Sequence, residues 1–353
     1  PTIIDLAHLI EADIRERGLR PGDPYLGQAE TKRMLGVGSD AANRALQLLA
    51  QRGVISRGQR RGTYVADLTP RDRSTTLRHV HVVVDEHFLR HERTFSDSHL
   101  LGLQQELPGA NLEFNFLPAD HVTEFAQGLV HNALGMQGRH GFVITSCPYP
   151  VQRVFAESGL PTVIAGSPYP LITNLPAIDH DHSHGAKLTA EHLVGQGCQK
   201  FLLMFRRRVT AGENLALDYL LAEFGERGFS PADISLRMLD DDSAEARAEV
   251  AAACDRWEGF KLGIVARTEP IANNALRAAE ERGLVIDADY GIVAANICDP
   301  RDSPECPYAV IHRSISAHER GMCLGRMLKG VAAGEVVESS YTPMRLTLPV
   351  LNR

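Results

Sequence analysis

The sequence predicts an α/β protein in which a small, mostly helical module precedes a larger, doubly wound parallel body in two lobes. Helical periodicity occupies the chain up to about Gln51, and a β-rich hairpin follows it. From Val80 onward, apolar runs alternate with helical stretches, a pattern that implies parallel sheets with helices on both faces. A length of 353 residues also exceeds that of one ordinary domain.

Charge is distributed unevenly between these two parts. Residues 1–79 hold 13 Lys and Arg against 9 Asp and Glu, whereas the remaining residues hold 24 against 35. A basic segment on an acidic body is typical of a protein that meets a polyanion at one end. Because charge runs are more often plain solvated faces, this asymmetry favours nucleic-acid binding without establishing it.

The first 66 residues predict helices over 2–17, 28–35 and 39–51. Residues 54–57 and 63–65 are β-rich, and the arginine-bearing segment between them predicts the tip of a hairpin. Three helices followed by a basic hairpin make a winged helix-turn-helix. A small helical dimerisation or docking module is the alternative interpretation of the same pattern.

The third predicted helix has two contrasting faces. Ala42, Ala45, Leu46 and Leu49 form an apolar stripe, and the opposite face is rich in amide and guanidinium groups. These groups form bidentate hydrogen bonds with base edges in the major groove of DNA. We predict DNA contacts from Gln28, Lys32, Ser39, Asp40, Asn43, Arg44, Gln47, Arg57, Arg60, Arg61, Gly62 and Thr63.

This module resembles the GntR family of bacterial regulators over nearly all of residues 1–66. It departs from the family at the start of the recognition helix, where Gly38-Ser39 replaces the usual Ser-Arg. Asn43 stands at a commonly basic position, and Ala29 stands where the second helix often supplies an arginine. The resemblance is carried by Ile14-Arg15, Pro21-Gly22-Asp23, Leu35-Gly36-Val37, Ala45-Leu46, Leu49, Gly53-Val54-Ile55 and Gly62-Thr63-Tyr64-Val65.

The sequence after the N-terminal module predicts a linker followed by the larger body. We place the DNA-binding domain at 1–68, a linker at 69–79 and the body at 80–353. Strands are predicted at 80–84, 112–117, 141–145, 161–165, 201–205, 261–266 and 290–294. Helices are predicted at 122–134, 184–196, 215–227, 244–256 and 270–282.

The body resembles the effector domain of the LacI/GalR family, which shares its fold with type I periplasmic sugar-binding proteins. The resemblance implies a first lobe at about 80–197 and 303–330 and a second at about 200–296 and 333–353. Tyr308 to Leu328 resembles the final crossover helix, and Leu348-Pro349 the closing strand. The other matching blocks are Ile178 and Asp181 with Gly185-Ala186, Glu191-His192-Leu193 with Gly197, and Gly263 to Ala266 with Ala272, Leu276, Ala278, Gly283 and Asp289.

In such folds, ligands bind outside the carboxyl ends of the strands, and the resemblance places the ligand in the cleft between the lobes. The family's sugar-gripping arginine falls near Asn214 here, so Arg206-Arg207-Arg208 is the candidate replacement for that cation. We expect a sugar or sugar acid as the ligand, with Asp181 capping a helix at the mouth of the pocket. The implied pocket residues are Asp85, Ser146, Asp181, Arg206, Asn214, Glu269 and Asn296.

The run from Asp179 to His184 contains three alternating histidines, which would share one face of a strand and suggest a metal site. However, the segment is predicted to turn from strand to helix at Asp181, which breaks the alternation. We therefore expect pocket lining or plain surface, with no metal and no cofactor. The sequence also lacks the dinucleotide, serine-hydrolase, zinc-protease and phosphate-loop motifs.

Together these features predict a ligand-responsive transcription regulator, most simply a repressor, that forms a homodimer on an operator in double-stranded DNA. The scattered cysteines, the absence of a long apolar run and the lack of a signal-like pattern in residues 1–20 predict a cytoplasmic protein with no membrane segment. Two other classes remain open: a small-molecule enzyme on an α/β scaffold, and a solute-binding protein of a transporter. The missing catalytic motifs count against the enzyme, and the missing signal pattern counts against the transporter.

Overall fold

The computed structural model describes residues 2–51, 54–58, 62–66, 76–85, 96–136, 138–240, 244–295 and 306–349. Its residues divide into two compact units, which are described separately. The first comprises Pro1–Glu86, Leu103–Ala177 and Met322–Glu338, and the second His87–Gly102, Ile178–Gly321 and Ser339–Arg353. The boundaries of the domains and lobes given above stay predictions.

The N-terminal module of the first unit is a winged helix-turn-helix. Thr2 caps the first helix, because its side chain accepts a hydrogen bond from the Asp5 N–H. Gly36 ends the second helix in the left-handed region at φ 65°. In the described residues, the module contains helices α1 (Ile3–Glu16), α2 (Gln28–Leu35) and α3 (Ser39–Gln51) and strands β1 (Pro24–Tyr25), β2 (Ile55–Gly58) and β3 (Gly62–Val65).

The core of this module forms where the apolar stripes of α1 and α3 meet the hairpin. Leu6, Ile10, Leu46 and Leu49 are fully or almost fully buried in one apolar cluster. Each such side chain stabilises the fold by about 1.5–3 kcal/mol through burial. Strand β3 pairs antiparallel with both β2 and β1, and β1 was not predicted from the sequence.

The body of the first unit is a parallel sheet with helices packed against it. Within this unit the strands lie in the order β5-β4-β6-β7, and each neighbouring pair is parallel. Phe142 on the sheet packs against Phe155 of α6 in the apolar core. The elements are β4 (His79–Asp85), β5 (Asn111–Leu117), α5 (Val122–Gly135), β6 (His140–Thr145), α6 (Tyr149–Ser158) and β7 (Thr162–Ala165).

The second unit contains a sheet with strand order β10-β9-β11-β12-β13-β15 in its described residues. All neighbouring pairs are parallel except β13 and β15, which are antiparallel. The strands are β9 (Lys200–Arg206), β10 (Ile234–Leu239), β11 (Leu262–Ala266), β12 (Tyr290–Ala295), β13 (Ala309–Arg313) and β15 (Met344–Thr347). Strand β8 (Ala177–His180) runs parallel to β14 (Ser340–Thr342).

Helices of the second unit connect and cover these strands. The bounds are α7 (His182–Gly195), α8 (Ala211–Glu226), α9 (Glu245–Arg256) and α10 (Glu269–Glu281), and a short 3₁₀ turn covers Pro231–Asp233. Helices α4 (Asp97–Glu106) and α11 (Ala317–Ala333) contribute residues to both units. Within the described residues, no helix is long and apolar enough to cross a lipid bilayer.

The predicted strands and the five predicted body helices are all present, with ends displaced by four residues or fewer. The closing strand implied near Leu348-Pro349 is present as β15, which ends one residue earlier, at Thr347. Strand β4 begins at His79, the last residue assigned to the linker. Strands β10, β13 and β14 and helices α4 and α6 were not predicted as separate elements.

Helices α4 and α11 approach each other closely at one glycine of the second unit. A Cβ atom added to Gly321 of α11 would overlap the carbonyl oxygen of His99 on α4. Backbone atoms on both sides of this contact leave no flexible side chain to move away. The position therefore requires glycine for a steric reason.

We expect Gly321→Ala to lower the free energy of unfolding by about 1–3 kcal/mol, since it overfills a tight contact. Gly128→Ala, at an exposed position inside α5 with nothing within 4 Å of the new Cβ, is the matched control. The control should raise the free energy of unfolding by about 0.5–1 kcal/mol, because glycine weakens a helix interior. Denaturant unfolding measures both, and an unchanged midpoint for Gly321→Ala would show that the two helices can separate without cost.

Candidate functional site

The first candidate site is the polar face of α3. The apolar stripe of this helix is buried in the core of the module, as predicted. On the opposite side, Ser39 and Asp40 are exposed, and Asn43, Arg44 and Gln47 are half-buried. The polar face is thus directed away from the core of the module, and only its first turn is fully exposed.

Hydrogen bonds fix the side chains of this face. Arg57 on β2 donates from Nη1 to Oδ1 of Asn43, at 3.0 Å, and so links the wing to α3. Arg44 forms an ion pair with Asp40 one helical turn earlier, at 3.1 Å. The Asn43 amide keeps its Nδ2 donors for a ligand, and an asparagine amide can bond bidentately to an adenine edge. The arrangement therefore presents a positioned amide beside two guanidinium groups.

The other predicted DNA contacts have different environments. Gln28 and Lys32 are exposed on α2, and Gln28 donates to the carbonyl of Ser39 at 3.1 Å. Gly62 is exposed at the start of β3. Arg60 and Arg61 lie outside the described residues.

Thr63 is the exception among the predicted contacts. Its exposure is only 6%, because alternate residues of β3 face the interior of the module. Burial disfavours a side-chain contact between Thr63 and DNA, and its role stays a prediction. Its neighbour Tyr64, which the sequence analysis did not select, is 38% exposed and points outward. The period-two alternation of the strand was the signal that distinguishes the two residues.

Two predicted ligand residues lie together at the carboxyl edge of the first sheet. Asp85 is the buried last residue of β4, and Ser146 directly follows β6. Strands β4 and β6 pair Val84 with Thr145, so the next residues occupy neighbouring strand ends. Ser146 adopts the left-handed region at φ 53°, a conformation that non-glycine residues rarely take outside turns and functional sites.

In the second unit, Asp181 caps the N-terminus of α7, as the resemblance implied. Its Oδ1 accepts hydrogen bonds from the His184 N–H at 3.0 Å and the Ser183 hydroxyl at 2.7 Å. Partial burial raises the pKa of this carboxyl, but the two bonds outweigh burial and lower the pKa overall. In the described residues, Oδ2 makes no hydrogen bond and can accept one from a ligand.

Arg206, the last residue of β9, is buried beside a carboxylate. Its Nη1 lies 3.5 Å from Oε2 of Glu213, and Arg267 donates from Nε to the same oxygen at 3.0 Å. We call these residues the arginine–glutamate triad (Arg206, Glu213 and Arg267). Burial raises the pKa of Glu213, but the charges of Arg267 and Arg206 outweigh it, so the pKa is lowered and the carboxylate is ionised.

Sequence reasoning missed Glu213 and Arg267. Glu213 lies three residues after Thr210, the N-cap of α8, a spacing that predicts a capping residue. Its side chain instead bonds to arginines at the ends of two neighbouring strands. No local pattern links Glu213 to Arg267, because 54 residues separate them.

The remaining predicted ligand residues do not join the triad. Asn214 is exposed on α8, and Glu269 is half-buried at the first position of α10, after the N-cap Thr268. Asn296 lies outside the described residues. Arg207 is exposed and pairs with Asp240 and Glu245 at 3.3 and 3.1 Å.

Asp179, His180 and His182 form a buried group whose ligand-type atoms all lie within 4.8 Å of one another. As predicted, β8 ends at His180 and a helix begins at His182, so the histidines do not alternate along one strand. Arg313 donates from Nε to Nδ1 of His180 at 3.3 Å. The guanidinium places a positive charge beside the group, which disfavours a cation. The absence of a metal here stays a prediction.

Comparisons with known proteins agree with these two parts. Residues 3–65 match the gntR family of bacterial regulatory proteins. No curated protein matches the sequence of this chain.

Solved structures match the fold over most of the chain. The lac repressor dimer bound to operator and the anti-inducer ONPF has a TM-score of 0.63 at 19% identity, covering 78% of this chain and 94% of that one. The CelR–cellobiose complex, a transcriptional regulator, has a TM-score of 0.62 at 16% identity and covers 99% of both chains. A LacI-family regulator from Enterococcus faecium with bound ribose has a TM-score of 0.59 at 17% identity, over 77% of this chain and 97% of that one.

At these identities the structural matches establish the fold alone. Both predicted resemblances are confirmed at that level. The chain therefore joins a winged helix-turn-helix domain that matches the gntR family of bacterial regulatory proteins to a body with the fold of LacI-family regulators.

Proposed function

We propose that this protein is a ligand-responsive, sequence-specific DNA-binding regulator that acts on transcription in the cytoplasm. The single observation that carries the proposal is the polar face of α3, positioned by the hydrogen bond between Arg57 and Asn43. That face belongs to the domain that matches a family of bacterial regulatory proteins. The body supports the ligand response, since its fold occurs in regulators bound to ribose and to cellobiose.

On DNA, we propose that α3 enters the major groove and the hairpin contacts the backbone. Asn43 and Arg44 supply donors and acceptors to base edges, and Lys32 and the wing arginines neutralise phosphates. We further propose a homodimer, which would bind a pseudo-palindrome with half-sites about one helical turn, or a multiple of it, apart. The dimeric lac repressor on its operator is the analogue for this arrangement.

The effector is proposed to bind in the second unit at Asp181, just beyond the carboxyl end of β8. Asp181 offers Oδ2 to a hydroxyl group, so a sugar or sugar derivative suits this position. A ligand changes DNA affinity only if it prefers one of two states of the protein, and such coupling is typically about 1–3 kcal/mol. Repression relieved by the ligand is the mode we propose.

The first test concerns DNA recognition. A preferred duplex is selected from a random library with the full chain, and affinities are measured for wild type, Asn43→Ala, Arg57→Ala and the double variant. Each single variant should weaken binding to the preferred site by roughly 1–3 kcal/mol, about five- to 150-fold. The double variant should lose less than the sum of the two, because the side chains are bonded to each other.

Arg15→Ala is the matched control, since Arg15 is an exposed arginine on α1 outside this face. It should keep the sequence preference of the wild type. Binding should also fall steeply as salt increases, in proportion to the phosphates neutralised. If the full chain binds no duplex at low salt, the proposed function is wrong.

The second test separates the two roles of Asp181. Asp181→Ser keeps a side chain that can cap α7 but removes the carboxylate, whereas Asp181→Ala removes both. We expect Asp181→Ser to unfold close to the wild-type temperature and Asp181→Ala to lose about 0.5–2 kcal/mol of stability. Both variants should bind DNA without ligand, yet need roughly ten- to a hundredfold more effector to respond.

The measurement is a DNA-binding titration against the sugar that a thermal-shift panel identifies. An unchanged effector midpoint for Asp181→Ser would place the ligand elsewhere. Loss of DNA binding in the ligand-free Asp181→Ser variant would assign the residue a structural role.

A further inference from the structure

Within the first unit, helices of the DNA-binding module lie against helices of the body. The Cα atoms of α3 approach those of α5 to within 8 Å, and those of α1 approach α6 to within the same distance. An open cavity of about 600 Å³ lies at this junction, and residues of all four helices line it. Asp5 and Arg44 line the cavity from the module, and Gln127 and Glu157 line it from the body. The body therefore faces the module at its recognition helix.

Arg44 is the residue of α3 that lines this junction. In the proposed function, its guanidinium contacts base edges. In the structure, Nη2 pairs with Asp40 at 3.1 Å, and only 30% of the side chain is exposed. Its Nε is buried and, among the described residues, has no hydrogen-bond partner. The side chain that is proposed to bind DNA thus lines a cavity that the body closes on the other side.

A body helix beside α3 is incompatible with insertion of α3 into DNA. The major groove is about 12 Å wide, and an α-helix with its side chains is about 10–12 Å across. One helix therefore fills the groove, and the two sugar-phosphate backbones flank it on both sides. Because α5 lies within 8 Å of α3, protein already occupies one flank. The module cannot lie on the body and hold α3 in the major groove at the same time.

The contact between module and body is weakly stabilised. Asp5, Gln127 and Glu157 are exposed polar residues, so this part of the junction stays hydrated. Protein interiors contain few voids larger than a water molecule, whereas this junction leaves a cavity of about 600 Å³. The unpaired Nε of Arg44 is also unfavourable, because a buried donor has lost its hydrogen bonds to water. The acceptors of a DNA duplex can satisfy this guanidinium, so DNA can compete with the body for the module.

We propose that α5 and α6 form a docking surface for this chain's own DNA-binding module, and that the docked arrangement is an inhibited state that excludes operator DNA. This inference rests on the proposed function, because it concerns the regulation of the same α3 site. The DNA affinity of the full chain is then that of the free module, reduced by the fraction of protein that is undocked. A change that weakens docking raises DNA affinity, and a change that holds the module on the body lowers it.

The first experiment locks the module on the body. Asp5→Cys and Glu157→Cys are combined in a full chain in which every native cysteine except the buried Cys147 and Cys198 is replaced by serine. A short bis-maleimide reagent then links the two thiols within one chain. The linked protein should bind the preferred duplex at least about tenfold more weakly than the same variant with both thiols capped by N-ethylmaleimide. Duplex added before the reagent should slow linking, because coupling between two equilibria is reciprocal.

The second experiment weakens docking without a cross-link. Gln127→Arg places a positive charge on the body side of the cavity that Arg44 lines, and should favour the free module. Asn132→Arg is the matched control, since it adds the same charge at an exposed position of α5 that does not line the cavity. Gln127→Arg should bind the duplex more tightly than Asn132→Arg by up to about fivefold, because two charges in water repel each other weakly.

Both experiments can overturn the docking. It is refuted if the two thiols do not link within one chain in the absence of DNA, or if the linked and capped proteins bind duplex equally. It is also refuted if Gln127→Arg binds no more tightly than Asn132→Arg. A wild-type chain that binds no duplex at low salt refutes the proposed function instead, whereas a chain that binds duplex equally in the linked and capped forms refutes only this inference.

Discussion

Parallel strand pairing is the constraint on which the chemistry of the body depends. Because neighbouring strands run in the same direction, every carboxyl end in a sheet reaches the same edge. Asp85 and Ser146 meet at one edge although 60 residues lie between them, and Arg206 and Arg267 meet at another in the same way. The helices that connect the strands exclude water from the faces of each sheet, so the polar side chains lie at the ends of the strands.

The arginine–glutamate triad buries charged groups at the edge of a sheet, and this burial costs free energy. Removing charges from water is unfavourable by several kcal/mol per ion, and mutual attraction offsets this only when the geometry is good. Glu213 accepts from Arg267 at 3.0 Å and lies 3.5 Å from Arg206, so one carboxylate serves the ends of both β9 and β11. The triad therefore fixes the ends of β9 and β11 relative to α8. It contributes more to this positioning than to the free energy of unfolding.

The sequence allowed the elements to be predicted far better than their long-range contacts. Apolar periodicity identified α2 and α3 within the module and β9, β11 and β12 in the body, because burial of one face or of a whole strand is visible locally. Asp181 was found because a helix cap follows its strand directly. Glu213, Arg267 and Arg313 escaped notice, since their partners lie 54 and 133 residues away in the chain.

The hydrogen bond between Arg57 and Asn43 joins β2 to α3, two segments whose residues would otherwise be substituted independently. A change at residue 43 leaves an arginine on β2 without its acceptor, and a change at residue 57 releases the amide that is proposed to contact base edges. A change of preferred operator sequence then requires substitutions at both positions. Residues 43 and 57 should therefore covary among relatives of this chain. Substitutions in the hairpin should therefore correlate with the base that α3 prefers.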